Sequence, residues 1–417
     1  MSQPACGLSA VELHRSLFEP SWYNSLLQEQ QVAYACAAEK VYNLIDSGTD
    51  SNSDDSYQGF APLLLRSSFH SSGSYDHGSG TGGSNGGTIF HSAELEDSQN
   101  GCISTATDKL YELFHGSSSI PLADTVVIAG VVALDTMNFP RMDLIQMSGG
   151  RFDLTNIAFR DRLPSPDDNP MQQFMEQYNL DTDELVALIG GGHEFGAAHG
   201  LCSGYVGQWT TSPLSWSENE FFPDLVKDDW EWYEVCTYED GISSFTVIPD
   251  PFANGLPEEE EEEEHGEDHD VCAVASNQEP KICEEQAVRL CSIPDGSSYS
   301  PDNPPCSPLI MRLKSDFFLK ADPELLPSAE KFAVDSNLLA EKFGIAYHKL
   351  THNGLGRCGL SGHGCGRGFD CSHKINKSTG RYKFSACVGS RNNVFGGRRK
   401  GGQGGERRRK RRQQQRN

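Results

Sequence analysis

The sequence has no long apolar run, although 37% of its 417 residues are hydrophobic. No stretch reaches the roughly 18 consecutive apolar residues that a membrane-spanning helix needs. The first twenty residues, MSQPACGLSAVELHRSLFEP, also lack the basic region followed by an apolar run that is typical of a secretory signal. We therefore expect no membrane span and favour a location in the cytoplasm, mitochondrion or nucleus. The cysteine-rich part near the C-terminus keeps an extracellular location open.

Charge is unevenly distributed over the chain, whose net charge is −25. Glu258 to Glu264 form an unbroken acidic run, whereas Arg398 to Arg416 contain ten Lys or Arg against the single acid Glu406. Blocks of like charge repel one another and are typical of solvated spacers and interaction tails. The basic tail is predicted to bind a polyanion or an import receptor, with a purely solvated tail as the alternative.

The 13 cysteines predict no single type of site. Cys6, Cys36, Cys102 and Cys202 are scattered through helical or loop segments and are interpreted as buried free thiols. Two clusters of four in sequence without an evident core favour a disulfide framework: Cys272, Cys283, Cys291 and Cys306, then Cys358, Cys365, Cys371 and Cys387. Zinc is the alternative for the last cluster, which is interleaved with His363 and His373 but lacks a Cys-x-x-Cys pair.

Helical periodicity dominates the rest of the chain and predicts a mainly α-helical fold. The predicted helices are Trp22–Asp46, Ser104–Phe114, Leu122–Met137, Met171–Tyr178, Thr182–Phe195 and Ala321–Leu350, the last interrupted around Pro327. Asp181 is the expected N-cap of the fifth. The predicted organisation is an N-terminal extension (1–20), a main body (21–240 and 308–353), an acidic cysteine-containing insertion (241–307), a Gly/Cys-rich extension (354–390) and a basic tail (391–417).

The stretch LIGGGHEFGAAHG, residues 188–200, contains two histidines six positions apart, His193 and His199. Six positions turn a side chain through roughly 240° around a helix, so both cannot face one ion from a single helix. The spacing also differs from the His-Glu-x-x-His of zinc proteases. If His193 binds a metal, a cofactor such as haem, which needs one protein ligand, fits this constraint.

A second stretch, LLLRSSFHSSGSYD, places Arg66 and His70 four residues apart, with Phe69 beside them. A helix presents both polar residues on one face. An imidazole can move a proton between the two oxygens of a peroxide, and a fixed cation can stabilise the leaving oxygen. The same spacing is also typical of a solvated or structural pair, so the pair alone does not predict catalysis.

The sequence resembles the plant, fungal and bacterial haem peroxidase superfamily. The resemblance rests on these two motifs and on the stretches APLLLRSSFHSSGSYDHGSGTGGSNGGTI, LADTVVIAGVVALD, GGRFD, LPSPDDN and DELVALIGGGHEFGAAHG. Within this superfamily the sequence is most similar to the ascorbate and cytochrome c peroxidases of class I, over roughly residues 20–235 and 308–352. The resemblance implies one haem b, held between a distal and a proximal helical half.

On the proximal side, the resemblance implies that His193 coordinates the haem iron. Asp316, in MRLKSDFFLKADPELL, matches the carboxylate that accepts the Nδ1 proton of that histidine. Trp209 matches a tryptophan that packs beside the histidine and, in cytochrome c peroxidases, holds an oxidising equivalent as a radical. A packed core aromatic is the alternative role for Trp209. His199 resembles a residue that hydrogen-bonds a haem propionate.

On the distal side, the resemblance implies that Arg66 and His70 are the catalytic pair. Phe69 stands where this group usually has tryptophan. An asparagine orients the distal histidine in the family, and Asn100 in DSQNG is the candidate for it. Because the loop is one residue short relative to Glu94, Gln99 is the alternative.

The electron donor is less clearly indicated. Cys202 stands where ascorbate peroxidases carry an ascorbate-binding arginine, so ascorbate is disfavoured; cytochrome c and phenolic donors remain candidates. Most ligands of the typical potassium site are replaced, by Glu194, Ser212 and Ser217, and only Thr210 is retained, so potassium or calcium is doubtful. The expected function is a haem b peroxidase that reduces hydrogen peroxide in an oxidative stress response. The alternative is a non-enzymatic, haem-binding peroxide sensor whose basic tail binds nucleic acid.

Overall fold

A computed structural model describes most of the chain. The described residues are 6–47, 59–116, 119–154, 158–216, 220–227, 230–257, 280–289, 298–299, 308–355, 369–370, 373–375, 382–384 and 388–389. The chain divides into two compact units, Met1–Leu355 and Gly356–Asn417. In the part of the chain that is described, no helix combines the length and apolarity needed to cross a bilayer.

The first unit is mainly α-helical, which confirms the predicted fold class. Its helices are α1 (Leu8–His14), α2 (Pro20–Ser25), α3 (Gln28–Ser47), α4 (Phe60–Gly73), α5 (Ser92–Leu95), α6 (Ile103–Phe114), α7 (Leu122–Thr136), α8 (Met171–Tyr178), α9 (Thr182–Gly192), α10 (Gly200–Ser203), α11 (Phe221–Leu225), α12 (Lys314–Ala321), α13 (Leu326–Val334) and α14 (Ser336–His352).

Helix α7 lies at the centre of the core. Its sequence is apolar on nearly every side, as expected for a helix surrounded by protein, and every residue from Ala123 to Leu134 is buried. Gly130 lets two neighbouring helices approach closely. A Cβ there would lie 2.1 Å from the Tyr347 hydroxyl of α14 and 2.5 Å from Ser68 Cβ of α4.

Helix α14 packs against both helices that carry the histidine motifs, α9 and α4. Its Phe343 ring packs on Gly191 of α9, where a Cβ would lie 2.6 Å from the ring. One turn further on, the Tyr347 hydroxyl donates to Ser68 Oγ of α4 at 2.9 Å. Helix α9 begins at the predicted N-cap, because Asp181 and Glu184 form a reciprocal capping box.

The predicted single helix Trp22–Asp46 is wrong. Helix α2 ends at Ser25 because Leu26 adopts an extended backbone, with φ −74° and ψ 151°, and buries its side chain. The Gln31 side chain donates to the Tyr23 carbonyl across this break at 2.9 Å. The segment that was predicted as an N-terminal extension also contributes Leu17 and Phe18 to the core.

The C-terminal helical segment is interrupted before Pro327 and not at it. Helix α12 ends at Ala321, and Pro327 occupies the first turn of α13, where a missing backbone N–H costs no hydrogen bond. A second break at Asp335 allows its carboxylate to cap α14 through the Leu338 N–H at 3.0 Å. Helix α9 ends at Gly192, three residues before the predicted end at Phe195.

A five-stranded antiparallel sheet lies between α11 and α12 in the chain. Its strands are β3 (Trp230–Thr237), β4 (Ser243–Val247), β5 (Ile282–Arg289), β6 (Ser298–Tyr299) and β7 (Met311–Arg312), in the order β6-β4-β3-β5-β7. A separate two-stranded ladder pairs β1 (Ala197–Ala198) with β2 (Gly207–Gln208). Three strands of the sheet come from residues 241–307, so the expectation of an irregular insertion is wrong for these segments.

Three disulfides join described residues, Cys6–Cys36, Cys102–Cys202 and Cys236–Cys283. The interpretation of the first four cysteines as free thiols is therefore wrong. Cys283 pairs with Cys236, its direct partner in the β3–β5 register, and not with another member of its predicted cluster. The remaining cysteines of both clusters lie outside the described residues, as do the acidic run and the basic tail.

In the second unit the described residues form two short antiparallel ladders. Strand β8 (Phe369–Asp370) pairs with β11 (Val388–Gly389), and β9 (His373–Ile375) pairs with β10 (Tyr382–Phe384).

Candidate active site

His193 stands directly after α9 and is oriented by a buried carboxylate. Its backbone N–H donates to the Ile189 carbonyl at 2.9 Å, and its Nδ1 lies 2.8 Å from Asp316 Oδ1. The other oxygen of Asp316, a fully buried residue, accepts the Leu313 N–H at 2.9 Å. A carboxylate beside Nδ1 fixes the proton there and leaves Nε2 as the lone-pair nitrogen. Because 25% of the imidazole side chain stays exposed, a ligand can reach it.

Trp209 lies flat against this imidazole. The two ring centroids are 3.8 Å apart and the planes differ by 3°. The carbonyl of Trp209 accepts a hydrogen bond from Arg312 Nη1 at 2.6 Å. The stack places a large, oxidisable aromatic ring in direct contact with the candidate ligand.

Arg312 is a fully buried residue that is not among the site residues predicted from the sequence. Its guanidinium donates to the carbonyls of Trp209, Met311 and Phe221 and packs over the Phe221 ring at 4.2 Å. Burial lowers its pKa to about 10, against the opposing effect of Asp316 and two other nearby carboxylates. Arg312 lies in the stretch MRLKSDFFLKADPELL, but its contacts come from three segments that meet only in the fold, so the stretch alone does not predict its role.

The distal pair lies on α4, where Arg66 and His70 are one turn apart. His70 Nδ1 lies 2.9 Å from Asn100 Oδ1, and Asn100 Nδ2 donates to the Glu94 carbonyl at 2.8 Å. A carbonyl can only accept, so this second bond fixes the orientation of the amide. Its Oδ1 must then accept from His70, which places the proton on Nδ1 and leaves Nε2 as a base. The alternative residue, Gln99, uses its backbone carbonyl to accept from Arg66.

The surroundings of His70 keep it neutral. Burial, followed by the nearby charge of Arg66, lowers its pKa to about 3, and the hydrogen bond with Asn100 opposes part of that shift. The Phe69 ring meets the imidazole edge-on at a centroid distance of 5.7 Å. A neutral imidazole at ordinary pH is the protonation state that a general base requires.

Arg66 is held by main-chain acceptors. Its Nη1 donates to the Gly101 carbonyl at 2.7 Å and its Nη2 to the Gln99 carbonyl at 3.0 Å. Both carbonyls belong to the same short segment as Asn100. The segment therefore positions both members of the distal pair, which the sequence motif alone did not indicate.

His199 and Glu194 have hydrogen-bond partners other than Asp316. His199 directly precedes α10, and its carbonyl accepts the backbone N–H groups of Cys202 and Ser203. The buried Glu194 carboxylate accepts the Phe221 N–H at 2.9 Å, while the Glu194 carbonyl accepts from Thr210 Oγ1 at 3.0 Å. His193 directly follows α9 and His199 directly precedes α10, so the two histidines of the motif do not share a helix.

This donor set fits a haem. One imidazole, with its Nδ1 proton fixed by a carboxylate, supplies a single nitrogen ligand. A neutral base and a cation on another helix, His70 and Arg66, could act on a peroxide that such a group binds. An oxidisable ring beside the ligand can exchange electrons with the cofactor.

Comparison with known proteins agrees with the geometry. Residues 44–228 match the family model described as peroxidase. A mitochondrial cytochrome c peroxidase of Candida glabrata is 33% identical over 198 residues, which are 46% of this chain and 54% of that protein. A Yarrowia lipolytica protein assigned as a mitochondrial cytochrome c peroxidase is 30% identical over 214 residues, 51% of this chain and 72% of the relative. The chain belongs to the haem peroxidase family.

Within the haem peroxidases the chain falls in class I. A rice protein (Oryza sativa subsp. japonica) assigned as a peroxisomal L-ascorbate peroxidase is 34% identical over 178 residues, 42% of this chain and 59% of that protein. The chain thus spans between about half and three quarters of the length of these relatives. The family and its cofactor class, haem, agree with what the sequence motifs predicted.

Proposed function

We propose that this chain is a haem b peroxidase that reduces hydrogen peroxide to water with electrons from a one-electron donor. The observation that carries the proposal is the pair of oriented histidines. Asp316 fixes the proton of His193 on Nδ1, and Asn100 fixes that of His70 on Nδ1. Each imidazole therefore presents Nε2, one as a ligand and the other as a base.

The distal residues supply the proton transfers. With haem bound, His70 Nε2 would take a proton from one peroxide oxygen and deliver it to the other, which would leave as water. Arg66, held by the Gln99 and Gly101 carbonyls, stabilises the negative charge that develops on the leaving oxygen. Bound haem supplies the iron at which the peroxide binds and the electrons for cleaving its O–O bond.

The proximal residues set the properties of the metal ligand. Asp316 accepts the Nδ1 hydrogen bond and so makes the His193 imidazole more basic, which favours oxidised iron. Trp209, stacked on His193, would pass electrons from a donor at the surface. His199 is proposed as a hydrogen-bond partner of a haem propionate.

Cytochrome c is the donor we favour. The net charge of −25 includes the basic tail, so the rest of the chain is more acidic still and can attract a basic protein partner. Several relatives are named as cytochrome c peroxidases. Ascorbate is disfavoured because Cys202, at the position of the expected arginine, is engaged in a disulfide.

The proposed setting is an oxidative stress response inside the cell. The names of the relatives include mitochondrial and peroxisomal proteins. The three disulfides of the described residues require a compartment that does not reduce them, since disulfides persist only in such surroundings.

A haem titration tests the proposal. The purified full chain should bind one haem and show the absorption bands of ferric haem, and His193→Ala should lose them.

The loaded protein should then oxidise ferrocytochrome c faster than ascorbate or phenols in the presence of peroxide. Normal haem uptake by His193→Ala would remove it as the ligand; no turnover with any donor would favour the peroxide-sensor alternative.

A further inference from the structure

The Cys102–Cys202 disulfide joins the two sides of the site across a sequence separation of 100 residues. Cys102 ends a segment that we call the distal loop, residues 97–102. Cys202 lies in α10, which starts directly after His199. This pairing is not predictable from the sequence, because nothing in the spacing of the two cysteines brings them together.

The distal loop provides the hydrogen-bond partners of both distal residues. Asn100 accepts from His70, and the carbonyls of Gln99 and Gly101 accept from Arg66. A shift of this loop would therefore change the orientation of the imidazole and the guanidinium together.

The loop is in close contact with α10. A Cβ on Gly101 would lie only 1.9 Å from the Cys202 carbonyl oxygen, so the two backbones touch where the disulfide forms. Cys102 itself has a φ of 59°, a left-handed conformation that residues other than glycine seldom adopt without a local constraint. Covalent attachment to Cys202 supplies such a constraint.

Helix α10 offers a firm anchor. A Cβ on Gly200 would lie 2.2 Å from Thr237 Oγ1 of β3, and one on Gly204, just after α10, would lie 2.3 Å from Glu284 Cγ of β5. The short helix thus packs directly on the central strands of the sheet. Cys102, which is bonded to Cys202 of α10, is therefore held in a fixed position relative to the sheet.

We propose that the Cys102–Cys202 disulfide is a positioning element for the distal catalytic residues. It holds the distal loop against α10 and so keeps Asn100 against His70 and two carbonyls against Arg66. The chemistry of those residues rests on the proposed function, whereas the position of the loop can be measured separately.

The test compares two disulfide variants of the haem-loaded full chain. Cys102→Ser/Cys202→Ser removes the proposed positioning bond, and Cys6→Ser/Cys36→Ser removes a disulfide between the start of the chain and α3 as the matched control. Two quantities are measured in each: amide hydrogen exchange of residues 97–102 and the second-order rate constant for reaction with hydrogen peroxide.

We expect the first variant to exchange faster across the distal loop and to react with peroxide about tenfold or more slowly, as for other losses of supporting contacts around a metal site. The control should match the wild-type protein in both. Wild-type exchange and rate in the first variant would overturn the proposal, as would equal slowing in both variants. If the wild-type protein itself fails to react with peroxide, the proposed function is wrong, and the exchange data still decide whether the disulfide positions the loop.

A second variant keeps the disulfide and displaces the loop. In Gly101→Ala the new methyl group meets the Cys202 carbonyl, so the loop must move away from α10. We expect a slower peroxide reaction with haem uptake and the disulfide intact. An unchanged rate, together with wild-type exchange at residues 97–102, would show that the contact with α10 does not position the distal residues.

Discussion

Asn100 and Asp316 each orient a histidine through one hydrogen bond at Nδ1. Each of the two is held by a second bond: Asn100 Nδ2 donates to the Glu94 carbonyl, and the other oxygen of Asp316 accepts the Leu313 N–H. Both residues therefore fix which ring nitrogen carries the proton, and replacing either should change the properties of the histidine that it contacts.

Asp316→Asn should weaken the proximal imidazole as a donor of electron density. The amide can accept the Nδ1 hydrogen bond but carries no charge, so the imidazole becomes less basic and the iron is more easily reduced. We expect a more positive Fe(III)/Fe(II) potential and a peroxide reaction slowed by about tenfold to a hundredfold. Potentiometry on the loaded protein measures the first, and an unchanged potential would contradict the role of Asp316.

His70→Leu should lower the peroxide rate constant by roughly a factor of 10² to 10⁴, the usual effect of losing a general base, while haem remains bound. In the wild-type protein the pKa of His70 is lowered to about 3, so the imidazole is neutral at every pH well above that value. The rate constant should therefore be level from about pH 5 to pH 8 and fall only as the pH approaches the lowered pKa. Stopped-flow measurements over this range test both statements; a midpoint near pH 6.5 would contradict them.

At the scale of whole elements, the sequence predicted helices better than it predicted their ends. The continuous apolar pattern of α7 and the Asp181 cap of α9 were both recognised. The break at Leu26 was not, because its buried side chain fits the helical pattern as well as the turn. Strands β4 and β5 were missed because acidic, Pro- and Cys-rich sequence dominates residues 241–307 and hides two short stretches of buried residues. The Arg66–His70 pair could be predicted because both residues lie on one helix, four positions apart.

The approach of α4, α7 and α14 depends on Gly130. Gly130→Ala would place a methyl group 2.1 Å from the Tyr347 hydroxyl and 2.5 Å from Ser68 Cβ. Overpacking of this kind costs about 1–3 kcal/mol, so the free energy of unfolding should fall by that amount in urea titrations. In the double variant Gly130→Ala/Tyr347→Phe the hydroxyl clash is absent, and we expect part of the loss to be recovered. A neutral Gly130→Ala would show that the helices separate without cost.

For the whole molecule, a buried charged network joins the N-terminal helices to the end of α14. The fully buried Arg151 donates to Asp124 Oδ1 at 2.9 Å and to the Thr351 carbonyl at 2.7 Å, and the Tyr34 hydroxyl donates to Asp124 Oδ2 at 2.6 Å. The disulfide Cys6–Cys36 adds a covalent link near the same helices. None of these long-range pairs was predicted, because each joins residues whose proximity arises only when the core is formed.

This network makes the molecule sensitive to acid through His352. Its Nε2 accepts the Ser148 N–H at 3.0 Å, while Nδ1 lies 2.8 Å from the His348 carbonyl. Burial, then the charge of Arg151, then that of His348 lower the pKa of His352 well below 6.5, and burial also lowers that of His348.

Because the folded protein keeps His352 neutral, the unfolded chain binds more protons once the pH falls below about 6.5, the usual value for histidine. The free energy of unfolding should then decrease with falling pH by up to about 1.4 kcal/mol per pH unit for each such histidine. Urea titrations between pH 8 and pH 5 measure this slope. His352→Gln can still accept the Ser148 N–H and does not titrate, so it should reduce the slope relative to wild type while leaving the peroxide rate constant intact. An equal slope in this variant would mean that the acid sensitivity arises elsewhere.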